Sequence, residues 1–181
     1  MFSEIVTLLL SVAFGLLGFF FIARFLLQLV RADFYNPISQ SIVRLTDPLL
    51  QPVRQLLKAR GNIDFAALVA VLVVELLDVI TVFTFAGEAL PGLPALALLT
   101  MMRSLDLVLG FYFYALLVSI IASWIAPAGG HPALSLIHQL TEPLLAPIRR
   151  LLPPAGGLDF STMVAMLIIY ILRDIVLPRL A

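Results

Sequence analysis

"LTDPLLQPVRQLL" occupies Leu45–Leu57, and "LTEPLLAPIRRLL" occupies Leu140–Leu152. This doubled phrase decides the architecture. With Pro37 set against Pro132, an offset of 95 residues pairs Thr46 with Thr141, Asp47 with Glu142, Pro48 with Pro143, Pro52 with Pro147 and Arg54 with Arg149. The same offset pairs Gly61 with Gly156, Asp64 with Asp159 and Phe65 with Phe160. Between Asn36–Asp78 and His131–Arg173 no gap is needed, and 18 of 43 positions are identical. Apolar bias alone does not repeat prolines, an arginine, a glycine and an aspartate in register, so the chain reads as an internal duplication.

The sequence around the phrase is greasy. Of 181 residues, 62% are hydrophobic and 12% charged, with a mean hydropathy of +1.11. A soluble domain is about half apolar and a quarter charged. One small globule cannot bury such an excess, which points to a membrane as solvent. Net charge is zero, so no bulk field attracts nucleic acid. The absence of cysteine excludes disulfides, thiolate metal sites and cysteine nucleophiles. The apolar run Ile5–Val30 follows Glu4 with no basic residue before Arg24, and is too long for a signal peptide.

Four stretches are long enough to cross a bilayer: Ile5–Val30, Phe65–Phe85, Leu105–Ile125 and Phe160–Leu180. The predicted fold is all-α and integral to the membrane. It divides into a first repeat over 1–86, a linker over 87–104 and a second repeat over 105–181. Ala95–Thr100 either extends the third span or lies at the interface. Each copy carries two spans, an even number, so both enter the bilayer in the same sense as parallel repeats. Arg31, Arg44, Arg54, Lys58 and Arg60 fall in the first interruption, and Arg149 and Arg150 in the second. That bias puts both interruptions in the cytoplasm and both termini in the periplasm, with Arg103 and Arg179 dissenting.

Within the phrase, Asn36-Pro37 marks a helix start. Ile38, Ile42, Leu45 and Leu49 recur at helical spacing. Pro48 and Pro52 disfavour a continuous helix, and Thr46 or Asp47 can cap a new turn. Each copy therefore predicts two short amphipathic helices lying on the cytoplasmic surface. Their leucines would dip into the acyl boundary, while Arg54, Lys58, Arg149 and Arg150 meet lipid phosphates or a protein partner.

"DFYNPISQSIVRLTDPLLQPVRQLL", taken with "LTEPLLAPIRRLLPPAGGLDFSTMVAMLIIYIL", resembles the YggT family of small bacterial inner-membrane proteins, which has plastid and cyanobacterial relatives. The resemblance covers both copies. It implies a multi-pass membrane protein without established catalytic residues. Family members are associated with haem attachment to a b-type cytochrome, with division or nucleoid organisation, and with osmotic or salt tolerance.

Charges inside spans require partners or water. Arg24 lies in the first span, Glu75 and Asp78 in the second, and Arg173 and Asp174 in the fourth. The offset of 95 sets Asp78 against Arg173, predicting an ion pair between the copies, with Arg24 reaching Glu75. Arg103 and Asp106 are one turn apart and predict a local pair. These charges either hold the bundle together or form an ion or proton path through Glu75 and Asp78. Trp124 is expected to anchor near the cytoplasmic interface. His131 and His138 lie outside the spans, and their counterparts are Asn36 and Val43. No metal, cofactor or catalytic set is expected, and no enzyme. The expected function is that of a scaffold or assembly factor, the rival being an ion-handling protein or small transporter component. Expected partners are membrane lipids, anionic ones foremost, and other membrane proteins, with homo-oligomers left open and nucleic acid not expected.

Overall fold

The computed structural model describes residues 2–57, 59–125, 131–152 and 160–180. Lys58, Gly156 and Asp159 lie outside the described residues, as does the side chain of Trp124. The described chain is helical: α1 Phe2–Leu29, α2 Pro37–Leu56, α3 Phe65–Ala86, α4 Leu93–Ile125, α5 Pro132–Leu151 and α6 Ser161–Tyr170. Beyond α6 the helix widens into a π turn over Ile171–Val176 and ends in a 3-10 turn over Leu177–Arg179. Among the described residues, four stretches are long and apolar enough to cross a membrane: Ser3–Leu29, Phe65–Ala86, Leu93–Ser123 and Ser161–Arg179. The third begins twelve residues before the expected Leu105, so Ala95–Thr100 extends it and only residues 87–92 connect α3 to α4. Gly87 closes α3 with φ at +73°, a left-handed conformation that glycine adopts without a Cβ penalty.

The prolines do not split the phrase. α2 runs through Pro48 and Pro52, and α5 through Pro143 and Pro147, each as one helix of 20 residues. Spacing is the reason. Prolines four apart share one side of a helix, so the carbonyls they leave without an N–H partner fall on one stripe. All four prolines are exposed, and carbonyls on that stripe can be solvated. On the other side, buried Thr46 and Thr141 donate to the carbonyls of Ile42 at 2.8 Å and Ile137 at 2.9 Å. Such back-bonding bends a helix without ending it.

Starts are built alike too. Asn36 caps α2 by accepting from the Ile38 N–H at 2.9 Å, and His131 caps α5 by accepting from the Ala133 N–H at 3.2 Å. Each cap precedes a proline at the first helical position, where a missing N–H costs nothing. Asp64 caps α3 through the Ala67 N–H.

The core falls into two clusters. The larger joins α1, α2, α3 and the start of α5, and includes Phe21, Leu50 and Val74. The smaller comprises Leu116, Leu145, Ala165 and Ile169 from α4, α5 and α6. At the offset of 95 these four match Phe21, Leu50, Ala70 and Val74, all of them in or against the larger cluster. α1 packs along α3, while α4 packs along both α3 and α6.

Candidate functional site

Polar side chains gather in two layers. The first lies where α2 meets the spans. Arg54, in the last turn of α2, donates to Asp47 at 2.9 Å and to Asp64 at the head of α3. Asp64 is fully buried. Arg24 of α1 stands 3.6 Å from Asp47 and 4.0 Å from Asp64, with its guanidinium 5.6 Å from the centroid of the Phe34 ring. Two cations and two carboxylates thus fasten α2 to the spans on either side of it. Burial works against the Arg54 charge, yet its hydrogen bonds to Asp64 and Asp47 and their attraction raise its pKa above the usual arginine value. Arg54 is therefore charged throughout the physiological range. In the second half the corresponding Arg149 donates to Glu142 at 2.9 and 3.0 Å, but this pair is exposed.

Arg54 is held by Asp47 of its own helix and by Asp64 at the head of α3, whereas Arg149, paired with Glu142 of its own helix, stays exposed. One expectation is corrected. Arg24 does not reach Glu75. Arg24 lies five residues before the end of α1 and Glu75 ten residues into antiparallel α3. At about 1.5 Å per residue their depths differ by about 7 Å, and a long guanidinium extends toward the polar end of its helix.

The second layer lies deep in the spans. Asp78 accepts from Ser11 at 2.6 Å and from Arg103 at 2.7 Å. Arg173 donates to Asp106 at 2.7 Å. The predicted Asp78–Arg173 pair is therefore absent, and so is the local Arg103–Asp106 pair. The partners are 67 residues apart both in Ser11–Asp78 and in Asp106–Arg173. At the offset of 95, Ser11 corresponds to Asp106 and Asp78 to Arg173. Equal depth does not bring residues 78 and 173 together, because each faces the first helix of its own half. Arg103 then crosses from α4 to Asp78 and joins the halves.

Two glycines make room for this layer. A Cβ on Gly110 would stand 3.3 Å from the Arg173 guanidinium. One on Gly18 would stand 3.1 Å from Glu75 Oε1 and 3.0 Å from Leu107. Arg103, Asp106 and Arg173 also line an open notch of about 310 Å³ between α4 and the end of the fourth span. The π turn carries Arg173 into this layer, and such turns are frequent at functional sites.

Between the layers' helices, α2 and α5 meet. Asn36 Nδ2 donates to the Pro132 carbonyl at 2.7 Å, and the Asp33 N–H donates to Gln139 at 2.8 Å. Beside this seam is an almost wholly apolar cleft of about 330 Å³. Its lining includes Ile38, Ser41, Ile42 and Leu45 from α2, and Ala133, Leu136, Ile137 and Leu140 from α5. These are four pairs at the offset of 95. α1 and Phe111 complete the wall.

Sequence reasoning took Ser11, with Gly15, as a small residue for close helix approach and missed its bond to Asp78, along with Gly18, Gly110 and the capping role of His131. The last was legible from the proline that follows it. The repeat residues Asp47, Glu142, Thr46 and Thr141 do take part in local contacts, whereas Pro48, Pro52, Pro143 and Pro147 line the exposed side.

The profile of the CCB3/YggT family matches residues 3–85 and again residues 98–180. A protein of Pseudomonas aeruginosa is 42% identical over 159 residues, covering 87% of this chain and 81% of its own. The YggT protein of Escherichia coli is 36% identical over 167 residues, covering 92% and 86%. A Vibrio alginolyticus protein is 39% identical over 160 residues, covering 86% and 84%. All three carry the printed description "uncharacterized". No solved structure matches. The chain belongs to the CCB3/YggT family.

Proposed function

We propose that this chain is a non-catalytic inner-membrane protein acting as a scaffold or assembly factor. Its two halves are parallel repeats, its termini are periplasmic, and α2 and α5 form one amphipathic platform on the cytoplasmic face. The seam between α2 and α5 carries this reading. Two equivalent helices that touch at their starts and share one apolar cleft make a single surface from both halves. Leu45, Leu49 and Leu56 stand exposed on α2, as leucines entering an acyl boundary would. With Arg54 committed to carboxylates, the exposed arginines on this end among the described residues are Arg31, Arg44, Arg60, Arg149 and Arg150, of which Arg149 pairs with Glu142. They suit anionic lipid, each contributing about 1 kcal/mol near a charged surface.

Photocrosslinkers at Ile42 and Ile137 in native membranes test this. Both positions are expected to capture the same membrane-protein partners. Capture of lipid alone, or of unrelated proteins at the two positions, would remove the assembly role.

The rival ion-handling reading draws on one observation, the unpaired carboxyl of Glu75 deep in α3. Flux through liposomes containing only the purified protein separates the two readings. The scaffold reading expects none, and robust flux abolished by Glu75→Gln would replace it.

A further inference from the structure

Glu75 is the charge count's remainder. It is the eleventh of 22 residues in α3, so it sits at the middle of that span. The residue is 7% exposed and makes no hydrogen bond or ion pair among the described residues. The charges that bear on it are Asp78 on its own helix and Arg103 and Asp106 on α4. Arg103 is bound to Asp78, and Asp106 to Arg173. From α1 the facing polar group is the Ser11 hydroxyl, already given to Asp78. Arg24, the cation of α1, is held by Asp47 and Asp64 at another depth. Three carboxylates thus share two guanidinium groups, and both are taken. Gly18 of α1 stands against the Glu75 carboxyl and offers no charge.

A lone carboxylate at mid-bilayer must find a counter-ion or become neutral. We infer that Glu75 is an intramembrane proton-binding site, a carboxyl that holds its proton at neutral pH. Arg103 and Asp106, the α4 charges that bear on Glu75, line a polar notch with Arg173, which offers that proton a route of exchange at the end of the bundle away from α2 and α5. The inference stands independently of the scaffold reading.

Carbodiimide labelling tests it in the full chain, purified and reconstituted. An apolar carbodiimide such as dicyclohexylcarbodiimide reacts with a protonated carboxyl. The acid proton passes to one nitrogen, the carboxyl oxygen adds to the central carbon, and an acyl shift leaves a stable N-acylurea with no group lost. Peptide mass spectrometry locates the adduct. At pH 7 an ordinary glutamate, with a pKa of about 4.3, is almost fully ionised. The expected result is one adduct at Glu75 of the wild-type protein at pH 7, none in Glu75→Gln, and none with a water-soluble carbodiimide. Asp78→Asn frees Arg103 to neutralise Glu75, so in that variant labelling falls by about tenfold or more, the equivalent of a one-unit change in proton affinity. Unlabelled wild-type Glu75, or equal labelling of Asp78 and Asp106, would overturn the inference. So would protection by excess sodium, which would identify a metal-cation site in its place.

Discussion

The two halves of this protein match in the build of α2 and α5 and differ in their charges. Their straps, α2 and α5, start on a capped proline, run through two prolines four apart, and bury a threonine and a leucine at matching positions. In the first half the strap's arginine is locked between carboxylates, one fully buried, beside a buried arginine from α1. In the second half the position of Arg24 is Ser119, and the matching Arg149–Glu142 pair is exposed. Deep in the spans, a hydroxyl and a carboxylate in one half answer to a carboxylate and a guanidinium in the other. Positions matched at the offset of 95 thus keep the contacts and change their chemistry. The first half is fastened internally, and the second reaches out to it through Arg103.

Exchanging charges between the halves breaks the comparison most severely. Asp78→Arg sets two cations against each other inside the membrane and is expected to abolish accumulation of folded protein. Adding Arg103→Asp restores it, whereas adding Arg173→Asp does not, as measured by membrane yield and monodispersity. Next in size, Arg54→Ala leaves the buried Asp64 carboxylate with only the Ala67 N–H and the more distant Arg24, a loss of about 2–3 kcal/mol, below that of a fully broken buried pair. Arg149→Ala, at an exposed pair, is expected to cost about 1 kcal/mol or less. Thermal unfolding in detergent compares the two. Gly18→Ala presses on Leu107 and Glu75 and is expected to cost about 1–3 kcal/mol by overpacking. The equivalent positions Gly15 and Gly110 give the smallest contrast. Gly15→Ala meets nothing within 4 Å and is neutral or stabilising by about 0.5–1 kcal/mol. Gly110→Ala pushes the Arg173 guanidinium and forfeits that gain.

Spans and helix starts were legible because hydropathy and Asn36-Pro37 are local signals. The unbroken straps were not, since a proline's cost depends on whether its orphaned carbonyl meets solvent, and that is a matter of packing. Partners of the charges were half legible. The residues were visible, and the offset placed Asp78 and Arg173 at matching positions. Direction around the helix was missing. A residue facing the other helix of its own hairpin meets that helix first, so Asp78 found Ser11 and Arg173 found Asp106. Ser11, four residues before Gly15, signalled only close helix packing and gave no sign of a carboxylate partner. Glu75 was visible as a charge, but its lack of a counter-ion emerged only once both nearby arginines had been assigned elsewhere.

Impermeant-thiol labelling tests the paired platform most directly. The chain has no native cysteine, so Gln55→Cys and Arg150→Cys, exposed equivalents on the two straps, report without background. The account predicts that both react only in inverted membrane vesicles, from the cytoplasmic face. Reaction of one from each side of the membrane would contradict it.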